Sequence, residues 1–204
     1  MPNNEEPLTS ISQIENLTLE EANTLLTIQR LWIDGVQWAR SFYISVFGNL
    51  PDQNSTATRL FQQLTKEENF NEFKKYLDAE ELQKYMSIAY SLVAENWNLA
   101  YSYQSKNKAP IELSTAKWYK TTDELIQFLV SLNKYYDEFY LKFLLYDYNR
   151  LKIDEINALL NGDYDLEIKI YDQLEDRAVS IANYISMGLI AERRDLNQNN
   201  METP

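Results

Sequence analysis

Apolar residues recur along this chain at steps of three and four, and no stretch shows a sustained alternation of apolar and polar residues. From Thr18 onward, one such stripe runs through Leu25, Ile28, Leu31, Gly35, Trp38, Phe42 and Ser45. Steps of three and four return to the same face of an α-helix, whereas a half-buried strand needs a step of two. The pattern therefore predicts an all-α chain without a β-sheet.

The clearest helix starts are two capping boxes, in which an N-cap residue and a glutamate three residues later bond to each other's backbone. Thr18 with Glu21 predicts a first long helix, which ends at Gly48, and Asp78 with Glu81 predicts a second, which ends in the polar stretch 105–110. The other predicted helices cover residues 54–64, 114–133, 137–150, a short segment from Asp154 to Asn161-Gly162, and 163–193, with irregular turns at 69–77.

These segments predict a four-helix-type up-down bundle, ferritin-like in pattern, with two or three short connecting helices. We expect a single domain over residues 17–194, because 204 residues is close to the size of one domain. Residues 1–16 and 195–204 are polar, and we expect them to form an N-terminal and a C-terminal tail.

Histidine and cysteine are both absent from the chain, and only four glycines are present. The sequence therefore offers no thiol nucleophile, no imidazole base and no nitrogen or sulfur ligands for zinc. It also contains no glycine-rich phosphate-binding loop and no nucleophile elbow. We expect a protein that is not an enzyme and that uses no cofactor.

Acidic residues outnumber basic ones by 31 to 19, which gives a formal charge of −12. Nucleic acids and anionic membrane surfaces attract basic proteins, so neither is an expected partner. No apolar run approaches the roughly 20 residues that a membrane span needs, and the first residues contain no signal-peptide core. We expect a cytoplasmic protein.

Four predicted helices each place an acidic residue beside the apolar stripe: Asp34, Glu95, Asp147 and Glu175. Ferritin-like bundles build two-metal sites from acids that four helices bring to one core, together with histidines that this chain lacks. A carboxylate-only site for iron or manganese is therefore one interpretation. The other, which we favour, places these acids at the edge of the core without a metal, in solvent or paired with Arg40, Arg150 or Arg177.

The chain is also rich in aromatic residues, with fifteen tyrosines and four tryptophans. One interpretation is a cavity for a small apolar ligand, lined by Gly35, Trp38, Asn96, Trp97 and Tyr148. The other is ordinary packing, which is the usual role of aromatic residues at helical spacing. A glycine inside a helix costs about 0.5–1 kcal/mol relative to alanine, so we predict that Trp97 or Tyr148 fills the space beside Gly35.

Several motifs between residues 25 and 191 occur in an order and spacing that is familiar: Leu31-Trp32-Ile-Asp34-Gly35, Leu50-Pro51-Asp52, Ala116-Lys-Trp118-Tyr119, Leu145-Tyr146-Asp147-Tyr148 and Tyr171-Asp172-Gln-Leu-Glu175. Together they resemble a family of small bacterial four-helix proteins that has no established activity and is related in pattern to ferritin-like bundles. The resemblance implies that fold. Some relatives are labelled acetylglutamate kinase, an activity that needs an α/β sheet and glycine-rich phosphate loops, and this sequence offers neither.

In that family an acid-histidine pair recurs on three helices. Those pairs fall here at Asp34-Gly35, Glu95-Asn96 and Asp147-Tyr148, so all three histidines are replaced while the acids are kept. If the family's pairs bind metal, the resemblance implies that this chain has lost the nitrogen ligands.

Three functional hypotheses follow. The favoured one is a non-catalytic helical-bundle protein that acts through its surface as a binding or structural component, with a protein as its partner. The alternatives are a carboxylate-rich protein that binds iron or manganese, and a protein that holds a small apolar ligand in its core.

Overall fold

The computed structural model describes residues 16–202, and it describes side chains for residues 16–198. Within that range the chain forms seven α-helices and no β-strand, which confirms the all-α prediction. The helices are α1 (Leu19–Phe47), α2 (Gln53–Gln62), α3 (Glu67–Phe73), α4 (Ala79–Gln104), α5 (Lys108–Leu132), α6 (Glu138–Asn161) and α7 (Tyr164–Glu202). The predicted N-terminal tail lies outside the described residues except for Asn16. No described helix has the length and apolar character that a membrane crossing requires.

Both predicted capping boxes are present. The backbone N–H of Glu21 donates to Thr18 Oγ1 at 3.2 Å, and Glu21 Oε2 accepts from the Thr18 backbone at 2.8 Å. Asp78 and Glu81 make the same reciprocal pair at 2.8 and 2.9 Å. An N-cap of this kind stabilises a helix by about 1 kcal/mol, because the first backbone N–H groups have no partner inside the helix.

Helix α5 begins earlier than predicted, at Lys108 instead of Ser114. Its N-cap is Asn107, whose Oδ1 accepts from the Ala109 backbone at 3.3 Å. Pro110 indicated a break, but it occupies the third position of the helix, where a missing N–H loses no intrahelical bond.

Helix α6 is continuous through the break that was predicted between Arg150 and Asp154. That prediction was wrong because the buried face of this helix does not stop at Leu151. It continues through Lys152 and Glu155, two charged residues that the structure buries completely. The helix ends, as predicted, at Gly162, which adopts φ +70° and donates its N–H to Leu159 O at 3.2 Å.

The long helices pack in chain order. Helix α4 packs on α5, α5 on α6 and α6 on α7, and α7 returns along α1, which α2 and α3 also contact. The buried apolar residues form three clusters. The largest includes Tyr85, Leu125 and Leu145, and the second includes Leu60 and Trp118. The candidate site lies where these two clusters meet.

Helix α7 continues past Arg194 to Glu202, through most of the predicted C-terminal tail. Asp195, in that segment, accepts from the Tyr135 hydroxyl at 2.6 Å and lies 2.7 Å from Lys134 Nζ. Arg194 makes two hydrogen bonds to the Glu21 carboxylate, at 2.6 and 2.7 Å. These contacts attach the end of α7 to the start of α1 and to the α5–α6 connection.

Candidate functional site: an interior cavity

A cavity of about 140 Å³, partly open to solvent, lies among α1, α4, α5, α6 and α7 and the segment that ends α2. Most of its wall is aliphatic, and four aromatic residues contribute the rest of the apolar surface: Trp32, Tyr85, Trp118 and Tyr148. None of its nineteen lining residues, all of them within the described chain, has a charged side chain. Native interiors are normally packed as densely as organic crystals, so a void of this size needs an explanation.

Gly35 forms part of the wall from α1. A Cβ atom built on Gly35 would meet no heavy atom of the described residues within 4 Å. The prediction that Trp97 or Tyr148 fills this space was therefore wrong. The Tyr148 ring is instead held edge-on against Trp32, with the ring centroids 5.7 Å apart and the planes at 88°. The glycine leaves room in the cavity that any other residue would reduce.

Three of the five predicted lining residues do line this cavity: Gly35, Asn96 and Tyr148. Trp38 and Trp97 do not, because neighbouring positions on a helix differ in direction by about 100° per residue. The Arg59 guanidinium lies 4.6 Å from the Trp38 ring. Trp97 is 37% exposed.

Trp97 packs edge-on against Phe42 and Phe61, at centroid distances of 6.2 and 5.6 Å. Trp97 is therefore turned toward α2, and it lies on the outer surface of this aromatic contact.

Two polar lining residues satisfy each other. Asn149 Nδ2 donates to Thr122 Oγ1 at 2.8 Å, and the Thr122 hydroxyl donates to the Trp118 carbonyl at 3.0 Å. Both side chains are buried. This pair joins α5 to α6 at one side of the cavity.

Two other polar lining residues, Gln63 and Asn96, are in the opposite situation. They are only 2% and 8% exposed, yet both amide atoms of Gln63 and the Oδ1 of Asn96 find no hydrogen-bond partner among the described residues. A buried polar atom without a partner costs about 1–3 kcal/mol. We call Gln63 and Asn96 the open amides.

Gln63 also lies beside the Asp34 carboxylate, which is outside the cavity wall. Burial acts to raise the pKa of Asp34, but the hydrogen bond from Lys66 brings that pKa below its ordinary value. Lys66 Nζ is 2.9 Å from Asp34 Oδ2. The acid beside Gln63 is therefore already paired with a cation.

The four acids of the metal interpretation have separate partners. Asp147 is bound by Arg150 and by Arg177, each at 2.7 Å. Glu175 accepts from the Tyr171 hydroxyl at 2.7 Å, and Glu95 from the Asn98 amide at 3.3 Å. The described residues contain no cluster of three acidic, histidine or cysteine side chains that could hold a metal ion. The structure thus does not bring Asp34, Glu95, Asp147 and Glu175 to one point.

A buried ionic cluster lies next to the cavity, between α1, α6 and α7. Lys152 and Glu155 are both fully buried and form an ion pair at 2.9 Å, and Glu167, also buried, is bound by Arg40 at 2.8 Å. Burial raises the pKa of Glu155, and the charge of Lys152 opposes that rise. Lys152 Nζ also lies 5.4 Å from the centroid of the Tyr43 ring. We call Arg40, Lys152, Glu155 and Glu167 the ionic cluster.

The helical pattern of the sequence indicates some residues of the cavity and the ionic cluster but not others. Tyr85, Ala89, Leu92 and Asn96 follow one α4 stripe at steps of three and four, and all four line the cavity. Lys152 and Glu155 continue the α6 stripe, a signal that the predicted break concealed. Gln63 lies just beyond the end of α2, where no helical period indicates its direction.

Comparison of the chain with protein-family models, with curated proteins and with solved structures gave no match.

Proposed function

We propose that this protein binds a small, largely apolar ligand in this partly open cavity. The observation that supports the proposal is the open space in front of Gly35, in a cavity of about 140 Å³ with apolar and aromatic walls. In another protein, an engineered cavity of about 150 Å³ with apolar walls binds benzene. The size and the walls therefore suit a ligand built around one aromatic ring.

Filling the cavity provides the direct test. Gly35→Leu would place a side chain in the open space, and we expect it to weaken binding of benzene or toluene by about tenfold or more while the protein stays folded. Ala116→Leu is the matched control, because Ala116 is exposed on α5. Binding is measured by calorimetry or by ligand-detected NMR. Wild-type protein that binds no aromatic probe, or Gly35→Leu protein that binds as well as wild type, would refute the proposal.

The finer architecture belongs to the same proposal. We infer an up-down, four-helix-type arrangement, ferritin-like in pattern, from the order of packing. Helices α4 to α7 are joined by short connections, and each packs on the next one in the chain. Short connections favour antiparallel neighbours. The proposed family, the cytoplasmic location and the absence of catalysis stay predictions from the sequence.

The surface-acting hypothesis is a second candidate, favoured by one observation. Phe139 and Phe143, one turn apart on α6, are 79% and 53% exposed. Neighbouring exposed aromatics often mark a protein contact. We expect Phe139→Ser with Phe143→Ser to abolish any concentration-dependent association seen in sedimentation, with Leu113→Ser, another exposed apolar residue, as the control. Association that survives the double change would argue against this surface.

The carboxylate-metal alternative has less support. Asp34 and Asp147 would have to exchange close partners, Lys66 and two arginines, for an ion. We therefore place it third.

A further inference from the structure

We propose that a surface groove between α2 and α4 is a docking site for a proline-rich segment of a partner protein. The groove has a volume of about 460 Å³. Helix α2 contributes Phe61 and Gln62 to its wall, and α4 contributes Tyr90 and Trp97. The groove and the cavity share no lining residue within the described chain. The proposal therefore goes beyond the proposed function and does not depend on it.

The groove differs in charge from the rest of the surface. A quarter of the residues of the chain are charged, but none of the eight described residues that line the groove is. Three other surface grooves, between α3 and α4, between α4 and α5 and between α6 and α7, each include two or three charged side chains. A neutral groove complements a segment with uncharged side chains, because a charge placed against it would lose water without gaining a counter-ion.

Three aromatic residues line the groove. Tyr90 and Trp97 are both exposed, and Trp97 meets Phe61 edge-on, with the ring centroids 5.6 Å apart. Neighbouring exposed aromatics often mark a binding surface. Proline-rich segments in the polyproline II conformation dock in grooves that are lined by aromatic side chains.

The spacing of Tyr90 and Trp97 matches the repeat of a polyproline II helix. The two residues are seven positions apart on α4. They therefore lie on the same face of the helix, about 10.5 Å apart along its axis. A polyproline II helix presents the same side every three residues, or about every 9.3 Å. A segment that lies along α4 would thus present one proline to Tyr90 and another, one turn later, to Trp97.

The polar groups of the groove suit a backbone that has few N–H groups. A polyproline II helix makes no internal hydrogen bonds, and its prolines offer carbonyl acceptors only. Asn54 and Gln62 are exposed amides that can donate to such carbonyls, and the Trp97 indole supplies a third N–H donor. The Thr58 hydroxyl, in contrast, already donates to the Asn54 carbonyl at 2.7 Å. The groove therefore offers the donors that a carbonyl-rich segment requires.

Titration with decaproline, followed by NMR of the four tryptophan indole N–H signals, tests the proposal. We expect a sub-millimolar Kd and a shift of the Trp97 signal, which Trp97→Phe identifies by removing it. The signals of Trp32 and Trp118, which line the cavity, should not move. A glycine-serine peptide of the same length should bind about tenfold or more weakly, because it has no preformed polyproline II helix.

Two variants assign the binding to the groove. Tyr90→Ser and Trp97→Phe should each weaken decaproline binding by about fivefold or more, while circular dichroism shows an unchanged fold. Tyr164→Ser is the matched control, because Tyr164 is an exposed tyrosine on α7 outside the groove. This control and Gly35→Leu, which fills the cavity, should both bind decaproline as well as wild type does.

The outcomes separate this inference from the proposed function. Absence of decaproline binding, or equal binding by the Tyr90→Ser and Tyr164→Ser proteins, would overturn the groove as a docking site, whatever toluene does in the cavity. Equal affinity for the glycine-serine peptide would overturn the preference for polyproline II. Maltohexaose, a neutral oligosaccharide, is the last probe. If it shifted the Trp97 signal and decaproline did not, the groove would be a sugar site and the proposal would be wrong.

Discussion

The cavity and the ionic cluster are neighbours in the same interior, and they bury polar groups in different ways. In the ionic cluster each cation has a close carboxylate, Lys152 with Glu155 and Arg40 with Glu167. In the cavity the polar groups are neutral, and two of them, the open amides, have buried atoms without a hydrogen-bond partner among the described residues. Burying an unpaired charge costs much more than burying an unpaired amide. A fold can therefore tolerate an unpaired neutral amide in its core, whereas a buried charge needs a counter-charge.

The largest expected effect comes from breaking the ionic cluster. Lys152→Met leaves the fully buried Glu155 without its cation, and we expect it to lower the free energy of unfolding by about 3–5 kcal/mol in urea denaturation. The double variant Lys152→Met with Glu155→Leu removes both charges, so it should recover most of that loss. A single variant about as stable as wild type would show that this pair does not require mutual neutralisation.

The next effect separates the satisfied amide from an open one. Asn149→Leu removes the donor to Thr122 and should destabilise the protein by about 1–3 kcal/mol. Asn96→Leu removes a buried acceptor that has no partner in the described chain, so it should be neutral or stabilising. Thermal and urea unfolding of the two variants measure the difference directly. If Asn149→Leu and Asn96→Leu lowered the free energy of unfolding equally, the distinction between the hydrogen-bonded amide and the open one would be contradicted.

The sequence predicts the parts of this comparison that depend on local pattern. The capping residues Thr18 and Asp78 locate two long helices, and the α4 stripe points Asn96 inward. These signals are local because a cap or a stripe involves residues at most a few turns apart. Their success shows that the starts of α1 and α4, and the buried face of α4, are largely determined by nearby residues.

The other parts depend on contacts between residues that are distant in the chain. Lys66 pairs with Asp34 and Arg40 pairs with Glu167, while Gln63 lies at the edge of the cavity. No local helical period relates these positions. Gly35 shows the same limit. Its cost to the helix is visible in the sequence, but whether the space beside it is filled depends on side chains from other helices.

Gly35→Ala tests whether this space is kept open at a cost in stability. A Cβ meets nothing within 4 Å among the described residues, so alanine should fit and should raise the free energy of unfolding by about 0.5–1 kcal/mol. The same methyl group reduces the cavity, so toluene affinity should fall modestly. A loss of stability in urea denaturation would mean that the wall cannot accept even one methyl group.

The smallest effect concerns an ion pair at the surface, which contrasts with the buried ionic cluster. The hydrogen bond from Arg194 lowers the pKa of Glu21 from 4.5 to about 2 in the folded protein. The stabilisation by this pair is therefore complete above pH 4.5 and is lost as the pH falls from 4.5 toward 2. Because the pair is near solvent, we expect less than about 1 kcal/mol.

Glu21→Gln isolates that contribution, because glutamine keeps a side-chain oxygen that can accept from the Thr18 backbone and so preserves the capping box. The difference in free energy of unfolding between wild type and this variant should be constant above pH 5 and should shrink steadily in urea titrations at lower pH. Equal stability of the two proteins at every pH would show that Glu21 stabilises the fold through its cap alone. In that case the charge of Arg194 would not contribute to holding the end of α7 against the start of α1.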